Sequence, residues 1–550
     1  MLNNQEATLR WPCLVGTVFL LAGGTGTLLA DPSPQATQPS TQQNETQRLQ
    51  QYYEQQQANP TPPIEPLPSV GQGGSHAPHL ANSVRFRLRQ VDFTHSALLP
   101  QQALDDAVKP FVGREVNGAD LAELLQRVNA LYTQRKISTA RAVFTRQSVT
   151  DGVLHIELVE GKLGALHIKG LHRVRDSFVR KRIDLKPNEV VDTNVLRDDL
   201  VYLNATTSLQ AKALLEPGAE RGQTDVLVDV TEPAPYSIDV FMDNNGVDST
   251  GRFRVGVDAH LTNLFGLDDR LDGDIAHSSG ANDGVVTYSI PLFTSNGRLE
   301  ASYSHSQINI IDGAFRDLSI TGHSSLSSLG YHQPLLASLH WQITGIAQYS
   351  IGDSTTNIAG QHIADTHTRE ASLGGSVQHQ NDGETWSVSQ LVTRLYSSEP
   401  MLGRSDFLIA PGSGYFIQRF GQTNWALRAD AGWQLSSGKN LPSANLFQIG
   451  GVGSVRGYEL GVVSGPRGYY VDLELHRNLF EHLDAYVFVD HGTIYSFYPS
   501  SKSITGIGPG VLYNYRSWLS LSADVAKSLD TVVAGQGSVR VDARLTLHWK

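Results

Sequence analysis

The chain has 550 residues, a formal net charge of −11 and an isoelectric point near 5.9, which excludes a generally basic nucleic-acid-binding protein. A mean hydropathy of −0.23 and the lack of a long apolar run beyond the N-terminal region exclude a protein built of membrane-spanning helices. Charged residues make up only 18% and glycines number 51. This composition fits a polar-lined membrane barrel or an extracellular β-protein.

The first 30 residues have the pattern of a secretory signal peptide. Arg10 ends a short polar start, a mostly apolar stretch follows, and Leu28-Leu29-Ala30 before Asp31 resembles a signal-peptidase site. The single cysteine, Cys13, lies in this segment. We therefore predict a signal peptide over residues 1–30 and an exported chain that has no thiol to mispair in an oxidising compartment.

Residues 31–57 form a polar segment that contains one predicted helix, Asn44–Gln57, with an apolar stripe of Leu49, Tyr52 and Tyr53. Residues 58–83 are a linker whose prolines prevent the helix from continuing. A linker of this kind spans roughly 75 Å when extended, which is more than the thickness of a membrane. The segment could thus reach a distant site, or it could be a free tail.

Residues 84–162 and residues 163–233 repeat one pattern, in which a strand, two helices and two strands follow each other. In the first unit the clearest helix is Asp120–Gln134, which is amphipathic, and Asp151-Gly152 joins the two final strands as a hairpin. Each unit is the size of a small α+β domain.

Residues 234–550 consist of alternating segments of about ten residues separated by turn residues, the pattern of an outer-membrane β-barrel. The last of them, Val539–Trp549, places apolar residues on one face and polar residues on the other. We predict about sixteen antiparallel strands, an even number as such barrels require, around an aqueous lumen.

Two motifs within this region suggest an ion pair inside the barrel. Arg456 lies in a glycine-rich loop, and about thirty residues later Phe488, Asp490 and Gly492 share one face of a predicted strand. A charge that cannot reach bulk water persists mainly when it is paired. Arg456 and Asp490 are therefore predicted partners.

This combination of motifs resembles the TpsB family, the outer-membrane translocators of two-partner secretion. The family belongs to a superfamily that also contains the outer-membrane barrel-assembly protein. The two α+β units resemble a pair of POTRA domains, closely so in Gln134–Ala142, although the family usually has Gly-Tyr where this chain has Lys136-Ile137.

The resemblance implies an N-terminal plug helix inside the barrel and a long loop that folds back into it. The predicted segments are a signal peptide at 1–30, a plug segment at 31–57, a linker at 58–83, POTRA 1 at 84–162, POTRA 2 at 163–233 and the barrel at 234–550. The implied site residues are Val455, Arg456, Gly457 and Tyr458 in the loop, Phe488, Asp490 and Gly492 in the wall, and Leu49, Tyr52 and Tyr53 in the plug helix.

The implied function is export of one unfolded TpsA exoprotein across the outer membrane of a Gram-negative bacterium, with the POTRA domains in the periplasm. The expected partners are that exoprotein and outer-membrane lipid, with no nucleic acid, and the chain is expected to act as a monomer. A barrel-assembly insertase and a passive porin are the alternatives. The resemblance also leaves open whether the Arg456–Asp490 pair opens during transport or only braces the barrel.

We find no sequence pattern for catalysis, for a metal site or for a cofactor. The glycines of Gly506–Gly510 lie within a strand pattern and do not precede a helix, so they predict no phosphate site. The 19 histidines lack the spacing of zinc ligands. The acidic pair Asp268-Asp269 falls at a predicted turn, where we expect solvated side chains.

Overall fold

The computed structural model describes residues 39, 40, 43, 48 and 52 and residues 85–550, except for 138, 145–148, 150, 221, 314, 400–402, 422, 496–500 and 534. The predicted signal peptide and proline-rich linker lie outside the described residues, as do Leu49 and Tyr53 of the predicted apolar stripe. Among the described residues, no helix is long and apolar enough to cross a membrane.

The first α+β unit has a three-stranded sheet packed against two helices. Its elements are β1 Phe86–Arg87, β2 Gln90–Phe93, α1 Gln101–Val108, β3 Glu115–Val116, α2 Gly118–Gln134, β4 Ala140–Phe144 and β5 Val153–Glu160. The first strand of the predicted pattern is divided into β1 and β2, because β1 pairs with β3 and β2 pairs with β5. Asn117 begins α2 with a capping box that it forms with Asp120.

The second unit repeats this architecture with β6 Lys162–Lys169, α3 Asp176–Arg180, α4 Thr193–Thr206, β7 Gln210–Pro217 and β8 Gln223–Thr231. Helix α3 is short, because the N–H groups of Arg182 and Ile183 bond three residues back and end the helix as a tight turn. Each unit has a core of its own, so each buries its apolar helix faces independently.

The rest of the chain forms a closed barrel of sixteen antiparallel strands, which confirms the predicted fold class. The strands are β9 Tyr236–Asp243, β10 Arg254–Thr262, β11 Arg270–Ser278, β12 Ala281–Leu292, β13 Gly297–Asn309, β14 Ile320–Ala337, β15 Trp341–Ile358, β16 Gln361–Gln380, β17 Glu384–Glu399, β18 Gly403–Arg419, β19 Trp425–Ser436, β22 Arg467–Phe480, β23 Leu483–Tyr495, β24 Lys502–Tyr515, β25 Leu519–Ser528 and β26 Val539–Trp549. The barrel closes where β26 pairs with β9.

Alternation along each strand separates an apolar outside from a polar inside. In β23, Val487 and Val489 are 57% and 42% exposed on the outer face, whereas Asp490 is fully buried on the inner face. The same alternation holds in β26, where Val539 and Val541 are exposed and Asp542 is buried. An apolar exterior around polar inner walls is the arrangement that a lipid bilayer requires.

One long connection, residues 437–466 between β19 and β22, contains the short strands β20 Phe447–Ile449 and β21 Val463–Gly465. We call this connection the inward loop, because its central residues are buried against the inner wall of the barrel. Strand β9 begins directly after the second α+β unit. The ends of the strands on that side therefore face this unit, and the inward loop enters the lumen from the opposite side.

Candidate functional site

The tip of the inward loop is a tight turn that presents Arg456 to the wall. Gly457 has φ of +92°, and a Cβ there would lie 3.1 Å from the backbone nitrogen of Ser528. A side chain is thus disfavoured both by backbone conformation and by space. Glycine at this position lets the loop pass close to β25.

Arg456 is only 2% exposed and is held by two carboxylates of the wall. Its Nε and backbone N–H donate to Oδ2 of Asp490 at 2.7 and 3.0 Å, and its Nη2 donates to Oδ1 of the same residue at 2.7 Å. Its Nη1 donates to Oε1 of Glu474 at 2.6 Å. A buried guanidinium with this many charge-assisted bonds is fixed in position and direction.

The other two wall residues of the predicted motif, Phe488 and Gly492, contact the loop without an ion pair. Phe488 lies under the guanidinium, with 3.6 Å between its ring centre and Cζ of Arg456, a distance for cation–π attraction. At Gly492, a Cβ would approach side-chain atoms of Ile449 and Val455 at 3.0 and 3.1 Å. The motif lies within β23, and the strand continues on both sides of it.

Val455 and Tyr458 anchor the loop on either side of Arg456. Val455 is fully buried in an apolar cluster with Ile449, Ile494, Ile504 and Val532. The hydroxyl of Tyr458 donates to the carbonyl oxygen of Thr505 at 2.8 Å and accepts from the N–H of Asp530 at 3.0 Å. The loop tip therefore contacts strands and loops beyond β23.

Sequence reasoning missed Glu474, the second partner of Arg456. It lies on β22 opposite Phe488, and its other oxygen is 2.8 Å from Nε2 of His476, whose Nδ1 is 3.0 Å from Asp484. These residues form a connected polar row from the loop tip towards the end of the barrel that faces the α+β units. The sequence feature that could have indicated Glu474 is the run Asp472–His476, in which every second residue is ionisable.

Sequence reasoning also missed the role of the glycines in β24. A Cβ at Gly506 would lie 2.0 Å from the carbonyl oxygen of Arg456. At Gly510, a Cβ would lie 2.4 Å from the ring of Tyr486. These glycines leave room on the inner face of β24 for the loop backbone and for aromatic side chains.

The described N-terminal residues 39, 40, 43, 48 and 52 are helical and lie inside the barrel beside the inward loop, and we call them the luminal helix. Gln43 bonds Ser304 and Ser324 of two wall strands, and Arg48 donates to the carbonyl oxygen of Gln448 at 2.7 Å. Tyr52 is 7% exposed and packs with Val247, Val452 and Leu460. Residues 39, 40 and 43 are also helical, so helix begins before the predicted Asn44.

The expectation that Asp268 and Asp269 are solvated was wrong, since both are at least 98% buried. Asp268 accepts hydrogen bonds from the backbone and hydroxyl of Ser208 in the second α+β unit and pairs with Arg298 at 2.8 Å. Asp269 accepts from the N–H of Phe265 at 3.0 Å. The acidic turn is buried because the second unit packs onto it.

Arg182 makes a second connection between that unit and the barrel. It bonds the side chain of Asn296 and donates to the carbonyl oxygen of Phe293 at 2.6 Å, and both acceptors lie in the turn between β12 and β13. Burial lowers the pKa of Arg182 to about 10. Tyr202 donates to the same turn at Ser295, so the second unit is attached through two turns of the barrel.

The end of the lumen that faces the α+β units contains a cavity of about 640 Å³, lined in part by Arg428, His476, Asp484, Arg544 and His548. Across the part of the chain that the structure describes, no three His, Cys, Asp or Glu side chains cluster as metal ligands. The arrangement is thus a polar conduit that is closed in its middle by a loop and a helix. This closure is held by ion pairs and hydrogen bonds.

A closed sixteen-stranded barrel with an apolar exterior, which follows two small α+β domains, defines an outer-membrane transporter with periplasmic domains. The family model for haemolysin secretion/activation protein ShlB/FhaC/HecB matches residues 222–512, and the model for POTRA domain, ShlB-type, matches residues 86–161. The chain belongs to the ShlB/FhaC/HecB family. It is an outer-membrane transporter of two-partner secretion, which exports a partner exoprotein and has its POTRA domains in the periplasm.

Individual relatives agree with this assignment over most of the chain. The heme/hemopexin transporter protein HuxB of Haemophilus influenzae (strain 86-028NP) is 23% identical over 81% of this chain and 84% of its own length. The outer membrane transporter CdiB of Dickeya dadantii (strain 3937) is 23% identical over 94% and 96% of the two chains. The solved structure of CdiB from Escherichia coli has a TM-score of 0.68 and 20% identity over 95% of this chain and 100% of its own, which shows the same fold.

Proposed function

We propose that this chain carries an unfolded exoprotein of the TpsA type through its barrel lumen, and that the inward loop and the luminal helix must both yield to open the path. The POTRA domains recognise the exoprotein in the periplasm. The chain acts as a monomer, with its apolar outer face in contact with outer-membrane lipid. The observation that carries the proposal is the buried contact of Arg456 in the inward loop with Asp490 and Glu474 on the inner wall of the barrel.

The loop tip lies against the neighbouring wall strands β22 to β25, whereas Gln43 of the luminal helix bonds β13 and β14, on the other side of the barrel. Because the loop and the helix together fill the lumen between these walls, an extended polypeptide cannot pass while both are in place. The luminal helix adds contacts to the same loop through Arg48 and Tyr52. We infer that the helix leaves first and the loop second, since the helix packs on loop residues while Arg456 attaches the loop to the wall. Arg456 is then a latch that opens in each transport cycle, in preference to a permanent brace.

Secretion of the exoprotein encoded beside this chain, with and without Arg456→Ala, tests the latch. Arg394→Ala is a matched control, because Arg394 pairs with Asp406 at 2.6 Å but is 74% exposed on the barrel. At equal amounts of folded barrel in the outer membrane, we expect secretion to fall at least about tenfold with Arg456→Ala. Arg456→Ala leaves two buried carboxylates without their cation, which is costly. Loss of the exposed Arg394 pair should have little effect.

Undiminished secretion by Arg456→Ala would reduce the pair to a brace. No secretion by the unmutated protein, while the purified barrel still conducts ions, would favour a channel function instead.

We further propose that export needs no catalytic step by this chain. The same exoprotein should therefore cross liposomes that contain only the purified transporter and no nucleotide.

A further inference from the structure

Both α+β units share a side-chain contact at the same place in their fold. In the first unit, Oδ1 of Asn129 accepts from the N–H of Ala142 at 2.8 Å and its Nδ2 donates to the carbonyl oxygen of Ala142 at 3.3 Å. In the second unit, Asn204 makes the same two bonds with Ala211, at 2.7 and 3.0 Å. Each asparagine lies on the second helix of its unit, α2 or α4, and each alanine lies on the strand that follows that helix.

The two alanines lie on edge strands. The sheet orders are β2-β5-β4 and β6-β8-β7, so β4 and β7 each have one unpaired side. In an antiparallel pair, residues alternately direct both backbone groups to the neighbouring strand or away from it. Because the N–H and C=O of Ala142 and Ala211 bond an asparagine, they face the free side, where an unpaired edge would otherwise accept another strand.

An asparagine side chain offers one carbonyl and one amide group, which are the two groups that a residue of an added strand would offer. Asn129 and Asn204 are both only half-buried, so neither is enclosed by the domain core. Each asparagine therefore satisfies the edge at one position without covering the rest of the strand.

In the second unit, the capped position opens onto a groove of about 290 Å³ between that unit and the barrel. Asn204, Ala211 and Lys212 line one side. His340 of the β14–β15 connection and Trp341, the first residue of β15, line the other. Trp341 is 41% exposed and forms an aromatic group with His379 and Trp386. A segment that lies along β7 would thus contact the periplasmic rim of the barrel.

We propose that Asn129 and Asn204 are displaceable caps on the two POTRA edge strands, and that an extended segment of the exoprotein replaces them when it adds to β4 or β7. This inference rests on the proposed function. Each cap sets a threshold for strand addition, because two hydrogen bonds must break before a new strand can pair at that position. A segment that makes many backbone bonds along the edge passes this threshold, whereas a short accidental contact does not.

Amide hydrogen exchange on the full chain in lipid nanodiscs tests the caps without any ligand. We expect the amide of Ala211 to exchange faster in Asn204→Ala and to keep its protection in Asn204→Asp, since a carboxylate can still accept from the N–H. The same pair of results is expected at Ala142 for Asn129→Ala and Asn129→Asp. Unchanged exchange in both alanine variants would overturn the inference, because the caps would then not protect the edge.

Binding of the labelled, urea-unfolded exoprotein encoded beside this chain gives the second readout. If the caps compete with the exoprotein, Asn129→Ala and Asn204→Ala should each bind it more tightly, by up to about tenfold for two neutral hydrogen bonds. Asn194→Ala is the matched control. Asn194 is also on α4, but its side chain donates to the carbonyl oxygen of Arg135 at 3.1 Å and caps no edge.

If the two asparagines have a purely structural role, the affinity for the exoprotein should be unchanged or lower in both cap variants, as in the control. Tighter binding in the cap variants alone supports displacement. If the unmutated protein binds the exoprotein but the cap variants bind no more tightly, the inference fails while the proposed function stands. If the unmutated protein neither binds nor secretes the exoprotein, the proposed function fails, and the inference that rests on it fails as well.

Discussion

At the scale of single residues, one cation in the inward loop, Arg456, is held by two anions of the wall. Arg456 satisfies Asp490 with two side-chain bonds and one backbone bond, and it reaches Glu474 with its remaining Nη. A buried pair of this kind adds little net stability, but removing one partner costs roughly 3–5 kcal/mol, because the other charge stays buried and alone. The pair therefore resists the loss of one partner, and it suits a contact that separates only when the loop moves as a whole.

Gly506 gives a prediction at this scale, because the space that a side chain would need there is occupied by the carbonyl oxygen of Arg456. We expect Gly506→Ala to displace the loop tip and to raise the ion conductance of the purified barrel in planar bilayers severalfold. A Cβ that lies 2.0 Å from a backbone oxygen forces either the loop or the strand to move, and β24 is paired on both sides.

Gly273→Ala is the control for this substitution. Gly273 also lies in a barrel strand, β11, but a Cβ there meets no atom within 4 Å. Equal conductance in the two variants would mean that the position of the loop tip does not limit ion flow.

At the scale of elements, the first POTRA unit is connected through Glu160, the last residue of β5. The hydroxyl of Tyr132 on α2 donates to Oε1 of Glu160 at 2.8 Å, and the N–H of Ala97 donates to Oε2 at 2.7 Å. The carboxylate thus links the helix, the sheet and the segment before α1. This connection gives Glu160 a physical role at the boundary between the two units.

Tyr132 predicts an alkaline loss of stability in this unit. Burial, and then the bond to Glu160, raises the pKa of Tyr132 above its ordinary value. A group with a raised pKa in the folded state contributes stability that is complete below the unfolded pKa, here about 10, and that is lost as the pH rises towards the folded pKa. We therefore expect urea stability to fall above about pH 10.

Tyr132→Phe should lower stability at pH 8 by roughly 1.5–3 kcal/mol, the contribution of a hydrogen bond to a charged group, and should reduce the alkaline decline. Urea denaturation followed by circular dichroism at the helical band measures both effects. The long described helices belong to the two POTRA units, so this signal reports on them. An equally steep decline in the variant would assign the alkaline loss to other groups.

At the scale of the whole molecule, three parts meet in the lumen and at its periplasmic rim. The luminal helix contacts the inward loop, the loop contacts the wall, and the second POTRA unit bonds two turns of the same barrel through Asp268 and Arg182. A rigid attachment at the rim keeps the edge strand β7 close to the opening. If β7 receives the exoprotein as proposed, this attachment fixes the receiving strand relative to the opening of the barrel.

Because the helix and the loop contact each other, their removal should not be additive. We expect deletion of residues 31–57 and the substitution Arg456→Ala each to raise ion conductance, and the double variant to differ from the sum of the two effects. Groups in contact couple in this way, whereas distant groups do not. A strictly additive double variant would show that the helix and the loop close independent paths.

The sequence by itself determined the fold class, because a two-residue period is sufficient to assign each barrel residue to the lumen or to lipid. It also determined the two α+β units, whose helices carry clear apolar faces. Tertiary structure alone decided that Glu474 joins Asp490 at Arg456, since this depends on the register of β22 with β23. It also decided that Asp268 is buried, because only the docking of the second POTRA unit removes that turn from water. Local patterns record which face a residue occupies, whereas partners far apart in the chain are set by register and docking.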